Sequence, residues 1–477
     1  MSRVVTEVRG VSGPQKVFDG ARGRRQSKFV AQSLGEQGGP LPSTVLVIPS
    51  ARRLMESLRD IGYELPNAVA DLVDNSLDAD ATEVGITVQF EGEDSWIRVT
   101  DNGVGMTTAR LNEAMRYGTE RDYDDVDLGK FGLGLKTASL SQCRRLTVAT
   151  RTNASRREIE IRRWDLDRVI DADKWELIRL SPSDVRDELV QPLWDGPGTV
   201  VMWEQLDRIF DYKLPSGRAA EAGLAASCRD IEDHLAMVFH RFLARQARRS
   251  LPLTITMQDE PVDAWDPFST RERHTAKLER QTLSLRHGGR AHSVTIQPYI
   301  LPNKMQYSTT REWEAASGPQ KWNRQQGFYF YRGGRMIQSG GWNHIRTFEE
   351  HTKLARIAVD IPRSADAAFG VNVAKMRVAI PIEIRAEMKA IASAVTTLAQ
   401  RAYRQPGGAS DRPTTAARAA SSTARSDAAA TRSGGRSRGG SVPWSTLRRV
   451  LRDELADDQP LLERLLKALR EAAGTED

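Results

Sequence analysis

The sequence of 477 residues has only two cysteines, seven histidines and no apolar run close to the roughly 18 residues of a membrane helix. Cys143 and Cys228 are too few for a disulfide framework or a cysteine-built zinc site, so a reducing compartment is expected. No two histidines form a close H-x-x-x-H pair, which argues against a zinc hydrolase. Because the N-terminal residues also lack the apolar core of a signal peptide, we expect a cytoplasmic protein without a membrane segment.

Basic charge is concentrated near the two ends of the chain. The formal net charge is +6, of which residues 1–50 and 405–442 each carry +4, whereas residues 443–477 carry −2 and residues 51–404 are neutral. Basic arms attract nucleic acid in a salt-sensitive way, and they also keep a protein in solution. Composition alone leaves both interpretations open.

Composition and pattern divide the chain into five segments. These are a flexible basic arm (1–45), an α/β domain (46–225), a smaller α/β domain (226–404), a disordered Ala/Ser/Arg/Gly linker (405–442) and a short helical tail (443–477). Helices are predicted at Ala51–Ile61, Pro66–Ala79, Thr107–Tyr117, Ile231–Arg248 and Pro381–Arg401. Strands are predicted at Val84–Phe90, Trp96–Thr100, Leu146–Thr150, Glu158–Arg162, Thr199–Glu204, Leu253–Met257, Leu283–Leu285, Ser293–Pro298, Phe328–Tyr331 and Ala358–Asp360.

The predicted helix Pro66–Ala79 has an acidic stripe opposite its apolar face. Asp71, Asp74, Asn75 and Asp78 recur at intervals of three and four residues, so they share one side of the helix. Carboxylates placed so closely repel one another unless a cation or solvent relieves them. A magnesium ion held by an amide oxygen, water and phosphates is one solution, and a solvated helix face is the other.

Two glycine-containing stretches follow this helix. Asp101-Asn102-Gly103-Val104-Gly105-Met106 comes directly after a predicted strand, where the glycines let the backbone approach a flat ligand and the carboxylate can accept from an exocyclic amine. An ordinary strand-to-helix turn has a similar sequence. Gly129–Ser139 contains three more glycines and runs into a helical pattern, which is typical of an anion site for phosphates. Its spacing is neither that of a Walker A loop nor that of a dinucleotide fold.

These motifs together resemble the GHKL ATPases, the superfamily of DNA gyrase, heat-shock chaperones, histidine kinases and MutL. Residues 71–79 resemble its N box, 101–106 its first glycine box, 129–139 its second, and 198–203 the later strand that carries a threonine at the adenine. Gly118-Thr119 and residues 328–342 are most similar to the MORC-type and bacterial MORC-like branch. The resemblance implies a two-layer α/β sandwich of the Bergerat type over 46–225, and then a transducer-like α/β domain over 226–404.

The resemblance also implies the ligands, ATP and Mg²⁺, and a role for each matching residue. Asn75 would bind magnesium and Asp101 the adenine amino group. The other residues expected to contact the nucleotide are Asp78, Gly103, Gly105, Met106, Gly129, Gly132, Gly134, Lys136 and Thr199. Residues 118–128 would form a lid over the nucleotide.

Two residues are expected to act in hydrolysis. The hydrolytic branch of the family has a glutamate, the general base, one turn before the asparagine, where this chain has Asp71. Aspartate is one methylene shorter, so we expect slow hydrolysis. Lys375, in the loop Phe369–Lys375, matches the transducer lysine that reaches the γ-phosphate. Residues 328–335 are expected to be a core strand and hairpin, in which Arg332 and Arg335 could face DNA.

The sequence thus predicts an ATP-gated dimeric switch or clamp that is a slow ATPase and acts on DNA. Three alternatives stay open. A sensor that binds ATP without turnover would recruit a protein partner through the C-terminal helices. A histidine kinase would need a phosphoacceptor histidine before residue 60, yet no histidine precedes His234. A mismatch-repair endonuclease would need a recognisable metal-binding C-terminal domain.

Overall fold

Two mixed β-sheets with helices packed on them make up the protein, known here from a computed structural model that describes residues 49–60, 62–117, 134–153, 158–210, 214–247, 251–371 and 378–404. The predicted class, an α/β sandwich followed by a further α/β unit, is confirmed. The predicted basic arm, linker and helical tail lie outside these residues. None of the helices in the described ranges has both the length and the apolar composition that crossing a lipid bilayer requires.

The first sheet and its helices come mainly from residues 51–204. Their bounds are α1 Ala51–Arg59, α2 Leu65–Asp78, β1 Glu83–Gln89, β2 Trp96–Asp101, α3 Thr108–Met115, α4 Gly134–Leu140, β3 Arg145–Arg151, β4 Glu160–Asp165, α5 Leu166–Ala172, β5 Ile178–Leu180, α6 Asp187–Val190 and β6 Gly198–Glu204. Every helix and strand predicted in this region is present, with ends shifted by three residues at most.

Strand β2 lies inside the first sheet, antiparallel to both of its neighbours, β1 and β6. The strand order is β5-β4-β3-β6-β2-β1-β7-β8, where β7 is Thr254–Met257 and β8 is Glu260–Pro261. Asp101 ends β2 and pairs in register with Thr199, the second residue of β6. The chain therefore leaves the sheet at the glycine turn 102–106 with a carboxylate and a threonine side by side.

Helix α2 covers this sheet with the face that the sequence predicts. Pro66 lies in its first turn, where no backbone N–H is required. Val69, Leu72, Val73 and Leu77 are all buried, as the 3.6-residue period demands.

The second sheet is built from residues 276–361. Helices precede it, follow it and occur between its strands along the chain. The bounds are α7 Arg218–Val238, α8 His240–Leu243, β9 Ala276–Lys277, β10 Gln281–His287, β11 Arg290–Ile300, α9 Thr310–Ala316, α10 Lys321–Arg324, β12 Gly327–Arg332, β13 Arg335–Gln338, β14 Ala355–Ile361 and α11 Ile382–Arg404. The order is β10-β11-β14-β12-β13, and β9 also pairs with β11. Only the β12–β14 pair within this sheet is parallel.

The hairpin predicted at residues 328–335 is confirmed. Strand β12 is buried along its whole length and returns as β13 through Gly333 and Gly334, whose φ angles are +59° and +91°. Two consecutive residues in the left-handed region favour glycine at both positions. The turn places Arg332 and Arg335 directly opposite each other.

Helix α7 differs from its prediction. It begins at Arg218 rather than Ile231 and ends at Val238, ten residues before the predicted end. Its first half is rich in alanine, a good helix former that gives only a weak apolar stripe, and the buried residues there are Ala220 and Leu224. The expected domain boundary at residue 225 lies inside this helix, and β7, which follows it, belongs to the first sheet.

Candidate functional site

The acidic stripe of α2 is divided between the protein interior and the surface. Asp71 and Asp74 are 4% and 0% exposed, whereas Asn75 and Asp78 are exposed to solvent. The alternative of a solvated helix face therefore applies to Asn75 and Asp78 only. The buried half needs a partner of opposite charge, because an unpaired buried carboxylate is very unfavourable.

That partner is Arg335, the first residue of β13. Its Nε lies 2.7 Å from Asp74 Oδ2, and its Nη2 lies 3.7 Å from Asp71 Oδ1. The arginine itself is 3% exposed. Its expected position, facing DNA, is wrong, because the guanidinium is needed to neutralise two buried carboxylates. Arg332 is buried as well, with its Nε 2.9 Å from Asp366 Oδ1, so the DNA-facing prediction is wrong for it too.

Asp71 has a second fixed neighbour in Tyr63. The Tyr63 hydroxyl donates to Asp71 Oδ2 at 2.9 Å, and burial followed by the nearby Asp71 charge raises the pKa of Tyr63 well above its usual value. The hydroxyl therefore remains a donor at any physiological pH. At the start of α4, a Cβ on Gly134 would lie 3.8 Å from Asp71 Oδ2, so this expected phosphate-loop residue is beside the carboxylate.

Asp101 is held at the end of β2 by hydrogen bonds to both of its carboxylate oxygens. The Gly103 N–H donates to Oδ1 at 2.9 Å, and the Ser76 hydroxyl donates to Oδ2 at 3.0 Å. Burial raises the pKa of Asp101, and these hydrogen bonds act in the opposite direction. The result is an oriented acceptor in a site of low polarity.

The backbone around Asp101 packs so closely that side chains would not fit. A Cβ on Gly103 would lie 2.7 Å from the Ala79 carbonyl oxygen. At Gly105, where φ is +67°, it would lie 2.0 Å from the Arg151 carbonyl oxygen. The glycines of the first expected box are therefore required by close approach of other backbone segments.

A threonine pair joins this turn to strand β6. The Met106 N–H donates to Thr150 Oγ1 at 2.9 Å, and Thr150 Oγ1 donates to the Gly198 carbonyl oxygen at the same distance. Thr199 Oγ1 lies 3.2 Å from Thr150 Oγ1. The structure thus brings Asp101, Gly103, Gly105, Met106 and Thr199 together.

Lys136 is buried in helix α4 and does not extend from a loop into solvent. It is 1% exposed in α4, and its Nζ donates to the Ala114 carbonyl oxygen at 2.8 Å. Burial lowers its pKa to about 8, and nearby Glu113 partly offsets that effect. Gly129, Gly132, Lys375 and the expected lid 118–128 lie outside the described residues.

Four residues of this arrangement were missed by the sequence analysis. Ser76 and Thr150 orient the Asp101 region, while Tyr63 and Arg335 surround Asp71. Ser76 directly follows Asn75 inside the N box, so the motif itself could have identified Ser76 as a site residue. Arg335 is 264 positions along the chain from Asp71, and no local pattern connects the two.

Comparison with known proteins agrees with this geometry. Residues 63–194 match the family model described as histidine kinase-, DNA gyrase B- and HSP90-like ATPase. The resemblance to the GHKL superfamily that the sequence motifs suggested is therefore confirmed for these residues. The matched segment contains α2, the glycine turn after β2 and helix α4, which are the elements that surround Asp71 and Asp101.

Curated relatives of the GHKL domain include several mismatch-repair proteins. DNA mismatch repair protein MutL of Shewanella loihica (strain ATCC BAA-1088 / PV-4) is 33% identical over 114 residues, which is 23% of this chain and 18% of the relative. MutL of Shewanella woodyi (strain ATCC 51908 / MS32) is 40% identical over 91 residues, 18% of this chain and 15% of the relative. DNA mismatch repair protein PMS1 of Arabidopsis thaliana is 34% identical over 123 residues, 24% of this chain and 13% of the relative. The chain spans less than a fifth of the length of each of these relatives.

Proposed function

We propose that the chain binds ATP with Mg²⁺ beside Asp101 and Asn75, hydrolyses it slowly, and works as an ATP-gated dimeric switch that acts on DNA. The observation that carries this proposal is the Asp101 carboxylate. It is oriented by Ser76 and the Gly103 N–H, it is partly buried, and glycines let the turn beside it pack directly against backbone carbonyls. Asp101 would accept a hydrogen bond from the adenine amino group, and Thr199 would lie next to the ring.

The residues present fit a magnesium ion. Asn75 presents an amide oxygen on the exposed side of α2, and Mg²⁺ commonly takes one or two protein oxygens together with water and substrate phosphates. The described residues contain no group of three acidic, histidine or cysteine side chains that could hold a metal without such help. When bound, the ion would neutralise phosphate charge. Asp71 and Asp74 are less suitable ligands, since Arg335 already neutralises them.

Asp71 is the proposed general base for the attacking water. It lies one helical turn before Asn75, so both groups are directed to one side of α2. Tyr63 and Arg335 fix its two oxygens. Its side chain is one methylene shorter than the glutamate of the hydrolytic branch, and a small loss of positioning lowers the rate steeply. Slow turnover is therefore part of the proposal. Gly129, Gly132 and Gly134 are proposed to contact the phosphates, and Lys136 would do so only after its Nζ leaves the Ala114 carbonyl oxygen.

DNA is the proposed partner of this switch. The named relatives are DNA mismatch repair proteins, and the two basic segments of the chain suit salt-sensitive contact with DNA. We also propose the division into a nucleotide domain, a transducer-like domain and terminal segments. The sequence-based bounds of the two domains, 46–225 and 226–404, would need a later boundary, because residue 225 lies inside α7 and β7 belongs to the first sheet. Lys375 would contact the γ-phosphate, and the branch would be the MORC-type one.

A second candidate function is an ATP sensor without turnover. It is favoured by one observation: the shorter Asp71 already has neighbours at both carboxylate oxygens. In this case ATP would only shift the protein between two states, and the C-terminal helices would recruit a partner.

Phosphate release at steady state separates the two candidates. Wild type and Asp71→Asn are compared, with nucleotide affinity measured by calorimetry for both. If the protein hydrolyses ATP, wild type should release phosphate slowly. Asp71→Asn should then release none above background while its affinity for ATP is unchanged. Equal background rates in both proteins would support the sensor, and failure of both to bind ATP would refute the nucleotide site. A gel shift with DNA, with and without a non-hydrolysable ATP analogue, tests the DNA proposal.

A further inference from the structure

One arginine of the second sheet contacts both buried carboxylates of the helix that carries the proposed base. The contacts use the Nε and Nη2 atoms of Arg335, which lie on the same edge of the planar guanidinium. All three side chains are 4% exposed or less. The Nε contact with Asp74 is within hydrogen-bonding distance, and the Nη2 contact with Asp71 is an ion pair, so the planar guanidinium directs its charge at both carboxylates.

Arg335 is held closely by Asp74 and lies farther from Asp71. Arg335 Nε lies 2.7 and 3.0 Å from the two oxygens of Asp74, so that pair is tight. Asp71 lies farther away, at 3.7 Å, and its other oxygen accepts from Tyr63 at 2.9 Å. Asp71 is thus held between a neutral donor on one side and a fixed positive charge on the other.

The surroundings of Arg335 restrict it to this position. The guanidinium carbon lies 5.9 Å from the ring centre of Phe239, which follows α7. His234, in α7, has its pKa lowered to about 3 by burial and then by Arg335, so it is neutral at physiological pH and adds no second cation. Gly333 and Gly334 hold the start of β13 in a tight turn. A rearrangement of the β12–β13 hairpin would therefore move the positive charge away from Asp71.

We propose that Arg335 is a positioning residue for Asp71, and that it makes the orientation of this carboxylate depend on the hairpin of the second sheet. The proposal rests on the hydrolytic role of Asp71 argued above. A purely structural ion pair would make the same contacts, but it would affect stability without affecting the rate per folded molecule.

The test compares Arg335 with Arg356, a matched control. Arg356 is 0% exposed, lies on β14 of the same sheet, and donates to the carbonyl oxygens of Pro267 and Ala316, far from α2. Lysine and glutamine are introduced at each position in the full chain. Thermal unfolding, kcat, KM and calorimetric affinity for a non-hydrolysable ATP analogue are measured for all four variants.

A positioning role predicts a split between binding and turnover. Arg335→Gln should lower kcat by about 10- to 100-fold with unchanged affinity for the analogue, because a displaced base affects the chemical step most. Arg335→Lys should fold and recover part of the rate, since the point charge remains but the fork is lost. Arg356 variants should lose thermal stability while kcat per folded molecule is retained.

Other outcomes distinguish the two proposals. If wild type turns over ATP and the Arg335→Lys and Arg356→Lys variants have equal kcat, Arg335 is only structural and the positioning role is refuted. If wild type binds the analogue but shows no turnover above Asp71→Asn, the hydrolysis proposal fails, and the positioning role fails with it. If Arg335→Gln does not fold, the comparison of kcat between Arg335→Lys and Arg356→Lys still tests the positioning role.

Discussion

At the scale of single residues, Asp101 controls how the proposed site would recognise adenine. Asp101→Asn keeps the size of the side chain but replaces one acceptor oxygen with a donor, which then faces either Ser76 or the adenine amine. An unpaired buried donor costs about 1–3 kcal/mol, or roughly 5- to 150-fold in ATP affinity. Calorimetry should show this loss, and exposed Asp195→Asn should leave affinity unchanged. Wild-type affinity in Asp101→Asn would remove Asp101 from the site.

The protonation of Asp101 gives a second prediction at this scale. Burial raises its pKa, so protonation on acidification begins at a higher pH than for an ordinary aspartate. The acceptor needed for adenine is present above that pKa and is lost as the pH falls through it. ATP affinity should therefore decrease on acidification more in wild type than in Asp101→Asn, which lacks this titrating group. Parallel pH profiles from calorimetry would contradict the prediction.

Asn75 is the residue on which the magnesium proposal depends. Asn75→Ala removes the amide oxygen that α2 presents to solvent, so magnesium-dependent nucleotide binding should be abolished. Affinity is measured by calorimetry with Mg²⁺ and with EDTA. Wild type should differ between the two conditions, and the variant should not. Unchanged affinity of the variant in Mg²⁺ would show that the N-box assignment is wrong.

Sequence reasoning identified Gly103 and Gly105 as positions of close backbone approach, but it expected a flat ligand there. The structure shows that backbone oxygens of the protein itself lie where their Cβ atoms would be. The partners of Asp71 could not be found in this way. Repulsion among the carboxylates of α2 requires a nearby cation, but the sequence does not show which of the 69 lysines and arginines supplies it. Only tertiary packing selects Arg335.

At the scale of secondary structure elements, the segment before α2 matters as much as the helix. Tyr63 precedes α2 and donates to Asp71, so Tyr63→Phe leaves a buried acceptor without that donor. We expect a loss of about 1–3 kcal/mol in the free energy of unfolding, together with a lower kcat. Chemical denaturation measures the first effect and phosphate release the second. Tyr403→Phe, which loses a longer 3.4 Å bond to Glu350 at an exposed position, should change neither by a comparable amount.

Elements with a clear apolar period were predicted well, and those without one were not. Helix α2 was placed to within one residue because its large apolar residues, Val69, Leu72, Val73 and Leu77, follow the 3.6-residue repeat. Helix α7 was started 13 residues too late because alanine, not leucine, lines its first turns. Strands β12 and β13 were recognised as a core hairpin, but the sequence left open that Arg332 and Arg335 face DNA, and the structure buries both.

At the scale of the whole molecule, nucleotide is expected to control association. We predict a dimer with a non-hydrolysable ATP analogue and mostly monomer with ADP, as measured by light scattering. A lysine that reaches the γ-phosphate distinguishes the two nucleotides, so Lys375→Ala should weaken the response. Removal of residues 1–44 should weaken it as well, because that polar arm would become ordered only on a partner surface. The same mass in every nucleotide state, with both variants unchanged, would refute the switch while leaving ATP binding intact.

The parallel pairing of β1 with β7 has a consequence for synthesis on the ribosome. Strand β1 ends at Gln89, and its outer neighbour begins only at Thr254, so the edge of β1 has no partner while roughly 165 residues are added. At about 5–20 residues per second that interval is on the order of ten seconds or longer. An unpaired strand edge is prone to associate with other chains. We therefore expect the nascent protein to need chaperone binding until β7 emerges from the ribosome. A recombinant fragment that stops at residue 225 would keep this edge open permanently and should aggregate.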